Sequence, residues 1–302
     1  MAEFAAGIDG GGTKTALVCR DLKGNTIDER RFGAFNLNGI GRENFESLIE
    51  EITAYLRALG SCCAVCIGAA GNSNPQMWQM IAATFQRAGI RQWKLVGDHE
   101  IALYGALEGE AGLCLIAGTG TICCGRDRSG RILRLGGWGH LIGDGGSAYA
   151  LGRDAFAAAA RQLDGLGPGT SLTERIMEAF RLTSREDMIA YVYQGGKSRI
   201  ADAASLVEQA FVAGDTLAGE ILKKNVQELV ELTVATAERL SLQNVLVALT
   251  GGVLTHNHVM RCLFTHKLAT VRPDLQCIDP KQDAAVGAVL LALSEIAMGG
   301  NS

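Results

Sequence analysis

Glycines, hydroxyls and a carboxylate follow a short apolar segment near the start of the sequence. The run is Asp9, Gly10, Gly11, Gly12, Thr13 and Lys14. Successive glycines let backbone N–H groups turn toward an anion without a clash from Cβ atoms. The threonine and lysine add a hydroxyl and an ammonium group, and a carboxylate suits a hydrated Mg²⁺. The pattern predicts a phosphate-binding turn, with a tight hairpin at a sheet edge as the alternative.

Two further glycine turns follow apolar segments later in the chain. The first contains Gly118, Thr119, Gly120 and Thr121, and the second contains Gly251 and Gly252. The first of these repeats the opening pattern: an apolar strand, a glycine turn, a threonine and a second strand ending in Arg-Asp-x-x-Gly. A repeated turn of this kind predicts two halves that grip one polyphosphate. The turn at Gly251 suits close approach to a nucleoside or a plain strand-to-helix turn equally well.

Further residues carry chemistry of other kinds. Asp98 follows a predicted strand at 93–96 and precedes a predicted helix at 99–107. Ligands of α/β sheets bind at the carboxyl ends of strands. An aspartate at such a position can also serve as a helix N-cap. The glycine-rich stretch 136–147 contains Trp138, Gly139, His140 and Asp144. An aromatic ring beside backbone donors and a carboxylate suits a polar ring with an apolar face. We interpret His140 as structural, and Asp144 could instead cap the helix that follows.

The elements that position these residues alternate between strands and helices. Residues 4–8, 15–19 and 26–32 are predicted strands, 43–59 an amphipathic helix, and 62–69 a strand covered on both faces. This alternation predicts an α/β fold. The repeat predicts two related domains, 1–112 and 113–302, the second being rich in helices. A closing helix at about 283–298 can pack back on the first domain.

Composition excludes several classes of protein. Glycine accounts for 39 of the 302 residues, and the formal net charge is −4. The slightly acidic balance disfavours nucleic acid and anionic membranes as partners. The nine cysteines lie mostly in apolar runs, where cysteine behaves as a small hydrophobe. No segment has the features of a signal peptide or a membrane span, so we expect a cytoplasmic protein with reduced thiols and no structural zinc.

Taken together, these motifs resemble the N-acetylglucosamine kinase family, which belongs to the superfamily of sugar kinases, heat-shock chaperone ATPases and actin and contains the BadF/BcrA-type ATPase domain. The resemblance rests on DGGGTKT at 9–15, AGTGT at 117–121, GGWGHLIGDGGSAY at 136–149 and TGGV at 250–253. It covers nearly the whole chain. It implies two ribonuclease-H-like (actin-like ATPase) domains with an interdomain cleft that closes on ATP, Mg²⁺ and a hexosamine.

The resemblance also assigns roles to individual residues. Asp98 would be the general base for the sugar 6-hydroxyl, and Asp9 would hold Mg²⁺ through water. Sugar-binding positions would be Asn36, Thr121, Trp138, Gly139 and Asp144. Nucleotide-binding positions would be Gly10, Gly11, Gly12, Thr13, Lys14, Gly118, Thr119, Gly120, Gly251 and Gly252. The family often forms dimers, so the resemblance leaves a homodimer open.

Three positions depart from the family pattern. Leu37 stands where relatives often carry a larger or more polar residue, and Gly97 replaces the Asn or Thr usually seen before the Asp. The family string is usually GDEGS, whereas this chain has Gly145 in place of the glutamate. The main hypothesis is ATP-dependent 6-phosphorylation of N-acetylglucosamine, and glucosamine or N-acetylmuramic acid are alternative substrates. Two alternatives of another class are a non-catalytic sugar or nucleotide sensor and an activating ATPase.

Overall fold

The structure is a computed structural model that describes residues 3–299. Its strands are, in chain order, β1 (Glu3–Gly10), β2 (Thr15–Asp21), β3 (Thr26–Phe32), β4 (Ser61–Ala69), β5 (Gln92–Val96), β6 (Gly112–Ala117), β7 (Thr121–Arg126), β8 (Ile132–Gly136), β9 (Val245–Thr250) and β10 (Leu275–Ile278). Its helices are α1 (Leu37–Ile40), α2 (Arg42–Leu59), α3 (Pro75–Ala88), α4 (Asp98–Leu107), α5 (Ala148–Leu163), α6 (Leu172–Ala179), α7 (Arg185–Ala201), α8 (Ala204–Val212), α9 (Thr216–Arg239), α10 (Gly252–Thr255), α11 (His258–Val271) and α12 (Ala284–Gly299).

The chain divides into two compact units. Unit 1 comprises Met1–Glu110 and Pro280–Ser302, and unit 2 comprises Ala111–Asp279. The sequence predicts the division between residues 112 and 113, with a closing helix at about 283–298 that can pack back on the first domain. In the structure, α12 packs on β1, β4 and α4 of unit 1.

Each unit contains a five-stranded sheet of the same design. The order is β3-β2-β1-β4-β5 in unit 1 and β10-β9-β6-β7-β8 in unit 2. In both, the first three strands form an antiparallel meander, and the remaining two run parallel to the first strand. The predicted repeat and the predicted α/β class are therefore confirmed.

Helices cover both faces of the sheet in unit 1. Alternate residues of β1 point to opposite faces: Phe4 and Ile8 join the core under α2 and α3, whereas Ala5 joins the core under α4 and α12. Gly7 also meets α12, and a Cβ on it would lie 2.2 Å from the backbone nitrogen of Val289. The α12 helix therefore lies directly against the backbone of the sheet.

One helix of unit 2 contains a break. The helix α7 continues to Ala201 through a kink at Gly196 (φ 63°), and the shorter α8 follows it. The sequence analysis did not predict α11 or β10. The strand β10 has only four residues and pairs at the edge of the sheet with β9, a long-range contact that has little local signal.

Among the described residues, no helix combines the length and the apolar character that crossing a membrane requires.

Candidate active site

The first predicted phosphate turn joins β1 to β2. The Gly11 N–H donates to the Lys14 carbonyl at 3.1 Å, and the Phe35 N–H donates to the Gly11 carbonyl at 2.9 Å. A Cβ on Gly10 would lie 2.8 Å from the Phe35 ring, whereas one on Gly12 would meet nothing within 4 Å. Packing within the unit therefore explains the glycine at position 10. It does not explain Gly12, whose exposed backbone leaves room for a ligand.

Three carboxylates lie near this turn. Burial, followed by the negative charges of Asp98 and Asp283, raises the pKa of Asp9 above its ordinary value, and Lys14 opposes this shift. The sequence analysis selected Asp9 and Asp98 but missed Asp283, which accepts a hydrogen bond from the Val286 N–H at 2.8 Å. An aspartate just before an apolar helix signals an N-cap. Its proximity to Asp9 depends on how α12 packs, which no local pattern reveals.

We expect Asp9→Asn to raise the stability of the folded protein at about pH 7. The folded-state pKa of Asp9 is raised, so folding favours its protonated form, and the stability it contributes falls as pH rises through that pKa. Asparagine removes this penalty. Urea unfolding across pH should show the gain near neutrality and a diminishing gain toward acid pH, where aspartate is protonated in both states. A variant less stable than wild type at neutral pH would contradict the electrostatic cause.

Asp98 is the first residue of α4, but it does not act as the N-cap. Gly97 occupies that position, and its N–H donates to Glu100 Oε1 at 3.1 Å. The alternative interpretation of Asp98 as a helix cap is therefore wrong. Its carboxylate accepts a hydrogen bond from the His99 N–H at 2.8 Å and keeps 58% of its side-chain surface exposed. This placement leaves the carboxylate accessible to a substrate hydroxyl.

Asn36 lies in the loop between β3 and α2. Its Oδ1 accepts a hydrogen bond from the Gly39 N–H at 3.1 Å, which makes Asn36 the N-cap of the short helix α1. The neighbouring side chains Phe35 and Leu37 are buried, whereas Asn36 is exposed. The loop is thus anchored by its apolar residues and presents an amide to solvent.

The second predicted phosphate turn joins β6 to β7 in unit 2. The Gly118 N–H donates to the Gly120 carbonyl at 2.9 Å, and the Gly118 carbonyl accepts from the Ala148 N–H at 2.9 Å. Thr121 is buried, and its N–H donates to Asp144 Oδ1 at 3.1 Å. The Thr121 hydroxyl is buried without a hydrogen-bond partner. Such a group is unusual in a folded protein, so a ligand or water is its natural partner.

A cavity of about 450 Å³ in unit 2 brings two of the predicted nucleotide segments together. Gly118 and Thr119 line it together with Gly252 and Val253, and Asp202 contributes from the end of α7. Its volume is in the range of ligand pockets. Gly251, just before, has φ 86°, and a Cβ there would lie 2.4 Å from the Ala117 carbonyl oxygen. Only glycine allows the loop after β9 to approach the end of β6, just before the second turn, so closely.

Asp144 points into unit 2 instead of toward solvent. Only 3% of its side chain is exposed, and its Oδ2 lies 2.7 Å from the Lys197 Nζ. Its other oxygen accepts the Thr121 N–H. Asp144 thus supports the second turn, and its predicted contact with a sugar stays a prediction. The sequence analysis missed Lys197, because the contact spans 53 residues and the lysine lies in a helix without a motif.

The glycine-rich loop after β8 presents apolar side chains to solvent. Trp138 is 75% exposed, and Leu141 and Ile142 are exposed as well. The Gly139 carbonyl accepts from the Gly143 N–H at 2.9 Å, which closes the loop on itself. The His140 ring packs edge-on against Tyr149, with 4.9 Å between the ring centroids, which agrees with a structural role. An exposed indole next to backbone donors can cover the apolar face of a sugar ring.

The space beside Gly145, where the family pattern has a glutamate, is filled by a different glutamate, Glu228. A Cβ on Gly145 would lie 2.4 Å from Glu228 Oε2 and 3.0 Å from Glu228 Cβ on α9. The neighbouring Gly146 N–H donates to the Oδ1 of Asn225, a fully buried side chain on the same helix. The helix α9 therefore packs directly against this segment, and Glu228 takes up space that a side chain at position 145 would need.

We expect Gly145→Glu to destabilise the protein by about 0.5–1 kcal/mol, because the closest atoms belong to the end of the exposed Glu228 side chain, which can move aside. Removing Glu228 should relieve the clash, so the double variant Gly145→Glu with Glu228→Ala should regain most of that loss. Chemical denaturation of the two single variants and the double variant measures this coupling. Losses that simply add would show that Glu228 does not occupy the space of the missing side chain.

Comparison with known proteins agrees with this geometry. The BadF/BadG/BcrA/BcrD ATPase family matches residues 6–292. The chain is 37% identical to an N-acetylmuramic acid/N-acetylglucosamine kinase of Clostridium acetobutylicum, over 97% of this chain and 99% of that protein. It is 28% identical to an N-acetyl-D-glucosamine kinase of Dictyostelium discoideum, over 97% and 98% of the two chains.

The fold also matches a solved structure. The crystal structure of a proposed N-acetylglucosamine kinase from Chromobacterium violaceum is similar with a TM-score of 0.75 and 27% identity, covering 95% of this chain and 98% of that one. The resemblance inferred from the motifs is confirmed, as is the sugar-kinase type of fold. The chain belongs to the BadF/BadG/BcrA/BcrD ATPase family.

Proposed function

We propose that this protein is an ATP-dependent amino-sugar kinase that phosphorylates the 6-hydroxyl of N-acetylglucosamine. The observation that carries the proposal is the cavity of about 450 Å³ in unit 2, which Gly118, Thr119, Gly252 and Val253 all line. These are the segments assigned to phosphate and adenosine from the sequence. The names of two relatives that match the chain over nearly its whole length support the sugar class.

The nucleotide is held by backbone in this proposal. The turns at Gly10–Lys14 and Gly118–Gly120 would bind phosphate oxygens through N–H groups, and Gly251 and Gly252 would lie against the nucleoside. Phosphoryl transfer depends mainly on positioning and charge neutralisation. Glycine turns supply both with few side chains.

Residues near the first turn fit Mg²⁺ bound through water. Among residues 3–299, no group of three or more His, Cys, Asp and Glu side chains could hold a metal ion by itself. Mg²⁺ commonly keeps several waters and binds through one or two carboxylates together with substrate phosphates. Asp9 is half-buried near two other carboxylates, and this negative charge favours a cation. When bound, the ion would neutralise charge on the phosphates.

The sugar would be bound and activated by exposed groups. Asn36 offers an amide, Trp138 an indole surface and Gly139 its backbone, with Thr121 assigned a position near the sugar and the phosphate. The Asp98 carboxylate would accept the proton of the 6-hydroxyl as that oxygen attacks the γ-phosphorus and the bond to ADP breaks. General-base assistance of this kind contributes about 10²- to 10⁴-fold.

Alternative substrates follow from the same site. N-Acetylmuramic acid is supported by the activity for which the Clostridium relative is named. Glucosamine is supported by the departure at Gly145, which bears on recognition of the amino substituent. A sugar or nucleotide sensor would bind the same ligands without turnover. An activating ATPase would hydrolyse ATP without a sugar.

One assay separates these functions. ADP release is coupled to a spectroscopic signal with N-acetylglucosamine, N-acetylmuramic acid, glucosamine, glucose or no sugar. We expect the highest kcat/KM with N-acetylglucosamine, and NMR of the product should show phosphate on oxygen 6. Turnover without sugar would support the ATPase, and ligand binding without turnover would support the sensor. Preference for another sugar would overturn the substrate assignment alone.

We also propose a cytoplasmic enzyme whose partner is a small amino sugar, with neither nucleic acid nor membrane as a partner. The formal net charge of −4 and the free thiols of all nine cysteines support this. The family resemblance leaves a homodimer open, and sedimentation or light scattering over a range of protein concentrations would test for it.

A further inference from the structure

A lysine that the motif analysis did not select lies beside the second glycine turn. Lys197 follows the kink of α7 at Gly196, where φ is 63°. Its Nζ lies 2.7 Å from Asp144 Oδ2, and it would lie 2.9 Å from a Cβ placed on Gly120. The side chain is 29% exposed, so the ammonium group is partly open to solvent.

Pairing with Asp144 does not use the full capacity of this ammonium group. A lysine has three N–H donors and no acceptor, and Asp144 Oδ2 takes one of them. The other carboxylate oxygen accepts the Thr121 N–H, so Asp144 joins the lysine to the turn through one rigid group. Gly120 has no side chain, and this brings the ammonium group close to the backbone of the turn.

Two further observations point to a ligand at this position. The residue after the lysine, Ser198, lines the 450 Å³ cavity together with Gly118 and Thr119. The Thr121 hydroxyl is buried and unpaired next to the carboxylate that holds the lysine. A backbone turn that lines this cavity, an ammonium group against the same turn and an unpaired hydroxyl at its end are together suited to an anion.

We propose that Lys197 binds the phosphate chain of the nucleotide that enters this cavity, with Asp144 holding the lysine in position against the turn. The inference rests on the proposed nucleotide function of unit 2. The positive charge beside the second turn then comes from Lys197 in α7, a helix remote in sequence from that turn. The kink at Gly196 directs the side chain toward the turn.

The test is nucleotide binding by the full chain, measured by calorimetry for adenosine, AMP, ADP and ATP. We expect Lys197→Met to weaken ADP and ATP by about 10- to 100-fold, the range of a charge-assisted hydrogen bond, and to change adenosine by less than about twofold. Lys197→Arg should recover part of the loss. Lys223→Met, at an exposed lysine of α9, is the matched control and should match wild type.

A structural role for Lys197 gives a different pattern. If the lysine only neutralises buried Asp144, Lys197→Met weakens all four ligands by the same factor, and adding Asp144→Asn restores them. That pattern, or unchanged binding of ATP, overturns the proposal. Binding is measured without sugar, so it does not depend on kinase activity. If the wild-type protein binds ATP but phosphorylates no amino sugar, the proposed kinase function is wrong and the Lys197 test still applies. Wild type that binds none of the four ligands overturns both.

Discussion

Asp98→Asn is expected to lower kcat by about 10²- to 10⁴-fold at saturating ATP and N-acetylglucosamine, the range of general-base catalysis. The carboxylate is exposed at the start of α4, and asparagine preserves its shape but cannot take a proton. Gly97 and Glu100 cap the helix, so the substitution leaves the cap intact. We therefore expect the melting temperature and the affinity for ATP to stay close to those of wild type.

Steady-state kinetics, thermal unfolding and ATP binding measured on one preparation decide this prediction. Asp164→Asn is a suitable control, since that aspartate forms an exposed ion pair with Arg185 in unit 2 and such pairs contribute little. Near-normal kcat in Asp98→Asn would remove Asp98 from the catalytic step. A large loss of thermal stability would instead reveal a structural role.

Gly287→Ala is expected to destabilise unit 1 by about 1–3 kcal/mol, the usual cost of overpacking. Helix propensity alone predicts the opposite sign, because alanine is favoured over glycine by about 1 kcal/mol in a helix. Here a Cβ would lie 1.9 Å from the Ile101 carbonyl oxygen and 2.4 Å from the Gly105 nitrogen, both backbone atoms of α4. Backbone cannot move aside as a side chain can, so α12 would have to shift.

The control is a glycine with open space around it. A Cβ on Gly33 would meet nothing within 4 Å, so Gly33→Ala should change the free energy of unfolding little. Urea denaturation of both variants, followed by circular dichroism, gives the difference. If Gly287→Ala proves as stable as Gly33→Ala, the close contact between α12 and α4 is not rigid.

Local patterns in the sequence account for much of the fold. The continuous apolar run of β4 predicts a strand covered on both faces, and β4 has α-helices on each side in the structure. The repeated strand, glycine turn and hairpin predicts two similar sheets because each copy carries its own turn residues. These features are encoded within about 30 residues, which is the range that periodicity and turn chemistry cover.

The groups that support the candidate site are encoded differently. Within unit 2, Lys197, Asn225 and Glu228 contact the glycine-rich segments from helices distant in sequence. Within unit 1, Asp283 lies near Asp9 just before α12. Their positions follow from how α7, α9 and α12 pack. The sequence does show that Gly145 lacks the side chain of the family glutamate. It does not show that Glu228 from α9 occupies that space.

The placement of α12 has a consequence for the order in which the protein folds during synthesis. Unit 2 is one continuous segment, Ala111–Asp279, and it is complete before the ribosome has translated α12. Domains usually fold as units from the N-terminal end, yet one face of the unit 1 sheet has only α4 packed on it until α12 emerges. Asp283 arrives with that helix, so a nascent chain brings Asp98 and Asp283 together near Asp9 only after unit 2 has been synthesised.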